Sequence, residues 1–445
     1  MFRFINNKDI DYFDKFKMNL KNIKKLILLE DKDIGAYNYF FEKFFSFKEI
    51  KNNLNHLKIS FKYNIDNTIL QDINNFKNLE ILELNEIYFK SLFILNLPQL
   101  KSLNICNSNN ISLSEKMCSN LRQLYFDNFT PIQEKQLKFP NLKKCEFCFE
   151  KIYINYNLIF DFTTMKNLRI LKSESEDFLK LGSNILLEDL TVISNYNNNI
   201  EIEKKIIEKI ISMKSLKKVN VSLNKISYND ISNINGLNNS ISSFGIELKN
   251  HSNFILFNLQ EKFPNLYDLE IKISSENGTN SIDIKENKKF KIKNLKIICN
   301  NANLKLYCQN IQNLEKIDIS VGNLENIEDK FTFFKDNCDI IFSSLKYLKF
   351  TYNSNIDLKI LDNLCNNLGK MNNLKYLWLC FNCENIDKNY YDRLNEKLSN
   401  LNLDFINIDI SNGLIIQELL NVGLFDEDKN INEFKENGIC IKKFN

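Results

Sequence analysis

Glycine, proline, alanine and arginine are all scarce in this chain of 445 residues. It has 10 glycines and 4 prolines, alanine only at Ala36 and Ala302, and arginine only at Arg3, Arg122, Arg169 and Arg393. Ten scattered glycines leave no Walker A or Gly-x-Gly-x-x-Gly loop to cradle a phosphate. Base-specific nucleic-acid recognition draws on arginine, so no specific nucleic acid is expected as a partner. Two histidines, His56 and His251, give little material for acid–base chemistry. No apolar run is long enough to cross a membrane as a helix, and residues 1–20 contain no signal-peptide apolar stretch. The net charge of +3 is too balanced to pull the chain to an acidic partner or a lipid surface.

What is abundant is Asn, Lys, Ile and Phe, the residues of AT-rich codons, so enrichment in lysine or asparagine says little about function. The 11 cysteines are odd in number and scattered, which fits reduced thiols. The expected compartment is the cytoplasm, with the nucleus as the other one allowed. At 44% hydrophobic residues a core is affordable, but 445 residues exceed what a single core usually serves. Several domains or one repeating array remain.

Self-similarity favours the array. Lys138-Phe139-Pro140-Asn141-Leu142 recurs unchanged as Lys262-Phe263-Pro264-Asn265-Leu266, and Ser344-Leu345-Lys346-Tyr347-Leu348-Lys349-Phe350 has a near copy in Asn373-Leu374-Lys375-Tyr376-Leu377-Trp378-Leu379. Each opens an apolar-x-x-apolar-x-apolar pattern. Its first positions fall at Ile23, Leu54, Leu79, Leu100, Leu121, Leu142, Leu168, Leu187, Leu216, Ile241, Leu266, Leu295, Leu314, Leu345, Leu374 and Leu403. Steps stay between 19 and 31 residues, and Asn stands immediately before the first position in 11 of the 16 cases. Chance supplies apolar triplets freely, but not both of those regularities.

The physical reading is direct. Positions 4 and 6 share one face of a short strand, while 3, 5 and 7 share the other. A single such unit cannot bury its apolar face, whereas stacked units share a continuous core. The segment 203–213 carries Ile206, Ile207, Ile210 and Ile211 at helical spacing and predicts a helix on the return path. Segments 358–371 and 390–398 read alike.

This pattern resembles the leucine-rich repeat family, and its later, 29-residue steps resemble the ribonuclease-inhibitor-like subclass. The resemblance implies an α/β fold, a leucine-rich repeat solenoid with a curved parallel β-sheet on the concave face and helices and irregular returns on the convex face. The expected organisation is an N-terminal cap helix within 1–22, a solenoid of about 16 units over 23–410, and a C-terminal cap and tail over 411–445. The family's Asn at position 9 occurs at Asn195, Asn224, Asn303, Asn353 and Asn382. Two units depart from the pattern, with Ser173 and Asn300 standing at position 6.

The family's usual role is non-enzymatic protein binding on the concave face, as scaffold, adaptor or inhibitor, with no cofactor and no metal. In the last three units position 3 reads Tyr347, Tyr376 and Phe405, and position 5 reads Lys349, Trp378 and Asn407. Tyr347, Lys349, Tyr376, Trp378 and Phe405 are therefore the expected partner-binding residues, since Tyr and Trp dominate interface hot spots. One alternative is a substrate-recognition subunit of a ubiquitin ligase, although no room for an F-box precedes Ile23. Another is a metal or thiol enzyme using Cys145/Cys148 or Cys380/Cys383. Against it, Cys145 at position 4 and Cys148 at position 7 point to opposite faces of one strand. A lysine cluster, Lys285, Lys288, Lys289, Lys291, Lys293 and Lys296, reads as a solvated connection.

Overall fold

The computed structural model describes residues 2–4, 22–29, 48–60, 64–65, 72–129, 131–133, 135–148, 159–182, 185–193, 199–225, 231, 233–248, 253–274, 279–283, 291–300, 303–307, 314–321, 344–355, 367–368, 370–382, 396, 398 and 401–410. The chain divides into two compact units, Met1–Ile193 and Ser194–Asn445.

The first unit is a ladder of parallel strands: β1 (Phe2–Phe4), β2 (Lys25–Leu29), β3 (His56–Ser60), β4 (Ile81–Asn85), β5 (Ser102–Cys106), β6 (Gln123–Asp127), β7 (Lys144–Cys148), β8 (Ile170–Glu174) and β9 (Asp189–Ile193). Each pairs in parallel with the next in chain order. The second unit repeats the plan with β10 (Lys218–Leu223), β11 (Ser243–Leu248), β12 (Asp268–Ser274), β13 (Asn294–Asn300), β14 (Lys316–Val321), β15 (Tyr347–Asn355), β16 (Tyr376–Asn382) and β17 (Phe405–Ile410), again all parallel. Consecutive parallel strands joined by return segments, each repeat touching its neighbours, define a leucine-rich repeat solenoid.

The register explains the sequence pattern. Leu57, Leu82, Leu103, Leu124 and Cys145, all at position 4, lie opposite one another along β3–β7. Positions 1, 4 and 6 go inward, as Leu79, Leu82 and Leu84 show with at most 1% of their surface exposed, while Leu403 and Ile406 of the last described rung are half-buried. Burying each such side chain is worth roughly 2 kcal/mol. Positions 3, 5 and 7 stay half-exposed on the open face, as in β3, where His56, Lys58 and Ser60 alternate with buried Leu57 and Ile59.

Two departures correct the sequence reading. Leu295 pairs with Leu269, a position-4 residue, so the unit begins at buried Ile292 rather than at Leu295. Cys299, expected at exposed position 5, is fully buried in the core, and position 5 belongs to Lys296. Asn300 then falls at position 9 instead of disrupting position 6, and Asn303 moves past the turn. Ser173 is a different case: its rung keeps register, Ser173 opposite Val192, and the hydroxyl is buried while donating to the Glu174 carbonyl at 3.2 Å. An addition comes at the front, where Phe2–Phe4 forms a rung beside Lys25–Leu29.

The asparagine before position 1 acts as an inter-rung staple. The side-chain amides of Asn78, Asn120, Asn141, Asn167 and Asn265 donate to the carbonyls of Asn52, Pro98, Ser119, Pro140 and Asn239. Every acceptor stands two residues before position 1 of the preceding unit. At the other end of the strand, position 8 takes a left-handed conformation in three successive rungs, at Glu86 (φ 58°), Asn107 (φ 46°) and Asn128 (φ 46°). Their backbone N–H groups reach the next rung, to Cys106 O, Asp127 O and Cys148 O at 2.8–3.1 Å. The left-handed bend therefore extends the ladder by one bond while turning the chain off the sheet.

The returns mix short ladders and helices, and the second unit has a three-stranded ladder of Asn253–Ile255, Thr279–Asp283 and Asn303–Tyr307. In the first, Phe93–Leu95 pairs with Ile111–Leu113 as a small second ladder. In the second, the predicted helix spans Ile200–Ser212, capped by the Asn199 side chain accepting from Ile202 N–H, with Ile206, Ile207, Ile210 and Ile211 buried. Buried Glu203 on its first turn accepts the backbone N–H groups of Asn224 and Lys225 at 2.7 and 2.9 Å. Buried Asn238 closes the far end, its amide donating to Ile210 O and Met213 O at 3.0 and 2.8 Å. Residues 5–21 of the expected N-terminal cap and all of the expected C-terminal cap and tail, 411–445, lie outside the described residues, as does most of 358–371 and 390–398. Among the described residues no helix is long and apolar enough to cross a membrane.

Candidate partner-binding face

The open face of β14–β17 carries the aromatic cluster. Strand pairing places Tyr347 opposite Tyr376 and Tyr376 opposite Phe405. Parallel strands lie about 4.8 Å apart, which is stacking distance for rings in one register row. Tyr347 and Tyr376 stack at 4.2 Å between centroids and 9° between planes, and Tyr376 and Phe405 at 4.3 Å and 6°. Trp378 lies 6.2 Å from Phe405 at 23°.

Two lysines frame the stack. Lys349 Nζ sits 5.5 Å from the Trp378 ring centroid and 3.8 Å from Asp318 Oδ2. Lys316 Nζ caps Tyr347 at 4.5 Å, a contact that the sequence reading missed because Lys316 lies one rung before the three-residue row. Burial, then the neighbouring Tyr376 phenol, pushes the Tyr347 phenol above its ordinary value. The row is half-exposed throughout: Tyr347, Lys349, Tyr376, Trp378 and Phe405 are neither in the core nor fully in solvent. Asn407, the register partner of Trp378, differs. Only 1% of it is exposed, and its Oδ1 has no hydrogen-bond partner among the described residues.

Elsewhere the open face is mixed. In the first unit His56 Nε2 stands 2.7 Å from Glu83 Oε1, and Lys58 Nζ 3.1 Å from Glu83 Oε2. Burial alone would raise the Glu83 carboxyl, but the hydrogen bonds from His56 and Lys58 outweigh it and hold it below the usual range. This cross-rung pair was not legible from His56 alone. Cys106, Asp127 and Cys148 form a row at position 7 of β5, β6 and β7. Burial pushes the Cys106 thiol up to about 12, so at neutral pH it is a protonated thiol rather than a nucleophile. Cys145 is fully buried, with its thiol also raised, first by burial, and Cys148 is half-buried, so that Cys-x-x-Cys pair is split between core and open face. Cys380 is half-buried, and Cys383 lies outside the described residues. Among the described residues no three His, Cys, Asp or Glu side chains gather as a metal cluster.

Of the lysine cluster, Lys291, Lys293 and Lys296 are described. Lys293 pairs with Glu315 at 3.0 Å and Lys296 with Glu270 at 2.9 Å, each across one rung. Glu315 also pairs with Lys346 at 3.0 Å, and the Lys346 and Lys293 bonds hold its carboxyl below the usual range. Lys291, Lys293 and Lys346 line a shallow hollow of about 630 Å³ where the strands begin.

No family model matches the chain, and no curated protein matches it. Among solved structures, a protein from Bacteroides fragilis is similar over 52% of this chain and 68% of its own, at 15% identity and a TM-score of 0.26. The mouse RP105/MD-1 complex is similar over 83% of this chain and 77% of that chain, at 13% identity and a TM-score of 0.35. Scores this low carry no argument, so the solenoid assignment stands on the strand register itself.

Proposed function

We propose that this chain is a non-enzymatic interaction protein, a scaffold, adaptor or inhibitor, that holds a protein partner on the open face of β14–β17. Tyr347, Lys349, Tyr376, Trp378 and Phe405 make the contact. The observation that carries this reading is the half-exposed stack of three rings beside the protein's single tryptophan. Large aromatic area held rigid costs little conformational entropy on binding, which is why such residues dominate interface energetics.

Two finer points belong to the same proposal. The second unit's repeats follow the ribonuclease-inhibitor-like plan, supported by the 13-residue return helix Ile200–Ser212 in a 29-residue step. The compartment is the cytoplasm, supported by the scattered, odd-numbered cysteines.

The test is affinity capture from native cells with wild type and a Tyr347→Ala, Tyr376→Ala, Trp378→Ala triple variant whose fold is checked by circular dichroism. A protein captured by the wild type and lost by the folded variant supports the site. Identical captures would move the contact off these rungs.

A further inference from the structure

A second contact surface lies off the open face, on the edge where the strands begin. The residues just before β12, β13, β14 and β15 are Tyr267, Lys293, Glu315 and Lys346. Backbone bonds of 2.8 Å, from Lys293 N to Tyr267 O, Glu315 N to Lys293 O and Lys346 N to Glu315 O, lock the four into one row. The lysine run that reads as a solvated connection in the sequence is thereby divided. Lys296 turns to Glu270 on the open face, whereas Lys291 and Lys293 meet Lys346, from two rungs further on, around the hollow of about 630 Å³.

The local sequence accounts for the opening. Elsewhere the asparagine before position 1 crosses to the preceding rung, as Asn265 does to Asn239 O. Two rungs at the hollow carry Lys291 and Ser344 in that place. Serine is the shorter side chain, and its hydroxyl donates to Leu314 O at 2.9 Å, leaving open the space that a carboxamide fills elsewhere.

Charge in the hollow is unequal, with three lysines against one glutamate. Glu315 shows which anion the place accommodates. Its Oε1 takes Lys293 and its Oε2 takes Lys346, each at 3.0 Å, so a single carboxylate engages both lysines. Lys291 is exposed and makes no ion pair among the described residues, and Tyr267, 45% exposed, adds a phenol and an apolar ring. Bidentate phosphate recognition favours arginine forks, and no arginine lines the hollow. A carboxylate from outside repeats the contact that Glu315 already makes.

We infer that this hollow takes an acidic segment of a protein partner, whose carboxylates pair with Lys291, Lys293 and Lys346 and displace Glu315 as their counter-ion. The surface is additional to the aromatic row, and neither contact needs the other.

The test titrates hexaglutamate into the full-length chain by calorimetry at low salt, where exposed pairs are least screened. Hexaglutamate is expected to bind wild type and to lose about tenfold in affinity on a Lys291→Gln, Lys293→Gln, Lys346→Gln variant. A Lys166→Gln, Lys205→Gln, Lys225→Gln variant removes the same charge at exposed lysines outside the hollow and should bind as wild type does. Glu315→Gln removes the internal competitor and should bind about threefold tighter, whereas Glu208→Gln, the same change at an exposed helix position, should not. Circular dichroism checks the fold of each variant. The inference falls if hexaglutamate does not bind, if both lysine variants weaken it alike, or if Glu315→Gln leaves the affinity unchanged. It falls equally if single-stranded hexathymidylate binds more tightly than hexaglutamate and is lost on the hollow variant. The Tyr347→Ala, Tyr376→Ala, Trp378→Ala variant should bind hexaglutamate normally, so failure of the acidic hollow and failure of the aromatic contact read out separately.

Discussion

The phenol rings of Tyr347 and Tyr376 lie 4.2 Å apart and within 9° of parallel. Tyr376 also stacks on Phe405, so it is the middle member of the row. Each aromatic pair is worth about 0.5–1.5 kcal/mol beyond its buried area. Tyr376→Ala is expected to lower unfolding free energy by roughly 1–3 kcal/mol and to abolish partner capture. Tyr376→Phe, which keeps both stacks, should bind and unfold within about 1 kcal/mol of wild type. Urea denaturation and the capture assay read both.

The staples have a separable signature. Asn141→Ala removes one side-chain donor from Ser119 O and is expected to cost about 0.5–1.5 kcal/mol. Asn141→Asp keeps the shape but loses the donor, so it should be no better than alanine. If aspartate matches wild type in chemical denaturation, the amide contributes nothing.

Glu203 ties the helix Ile200–Ser212 to the end of β10 through two backbone N–H groups at 2.7 and 2.9 Å. Glu203→Ala removes the acceptor from the buried Asn224 N–H and from the part-buried Lys225 N–H, at an expected cost of roughly 1–3 kcal/mol. Hydrogen exchange should show the Asn224 and Lys225 amides losing protection first.

Glu86 occupies the left-handed site that asparagine fills in the next two rungs. Asparagine tolerates that conformation better than glutamate. Glu86→Asn is expected to raise the unfolding free energy by about 0.5–1 kcal/mol, visible as a higher melting temperature; an unchanged or lower one would show that the glutamate side chain offsets the strain.

Lys209 gives a pH test. Burial lowers its ammonium from the ordinary 10.5 to about 8. Between those values the unfolded chain binds a proton that the folded chain does not, so this group makes stability rise with pH from about 8 to 10.5, and the contribution is lost as pH falls through 8. Subtracting the stability curve of Lys209→Met from that of wild type should leave a positive slope in this window. A flat difference would refute the shift.

Much of the ladder was readable because burial at positions 1, 4 and 6 writes itself into a short apolar code. It failed where two frames overlap. Around Ile292, Leu295, Ile297 and Ile298 the pattern is complete from Ile292 and holds from Leu295 as far as Ile298, breaking only at Asn300, and Asn294 lends weight to the later frame. Only pairing with Leu269 decides between them, which is information held in the neighbouring rung. Phe2–Phe4 is too short to carry a pattern of its own. The ring row was legible because stacking follows from a shared position in successive units. Lys316 over Tyr347, Glu83 beside His56 and the buried carboxamide of Asn407 were not, since each depends on which neighbour a side chain leans towards.

Each asparagine staple joins its rung only to the one before it, always at the same backbone carbonyl, and at Leu100 the glutamine Gln99 reaches back to Phe76 O instead. Around Leu79, Leu100 and Leu121 the spacing is also constant at 21 residues. An in-frame loss or doubling of one of these segments by replication slippage would therefore keep a side-chain amide, of Asn78, Gln99 or Asn120, before each position 1. Heredity can lengthen or shorten this stretch one whole rung at a time, while smaller insertions must be absorbed in the returns.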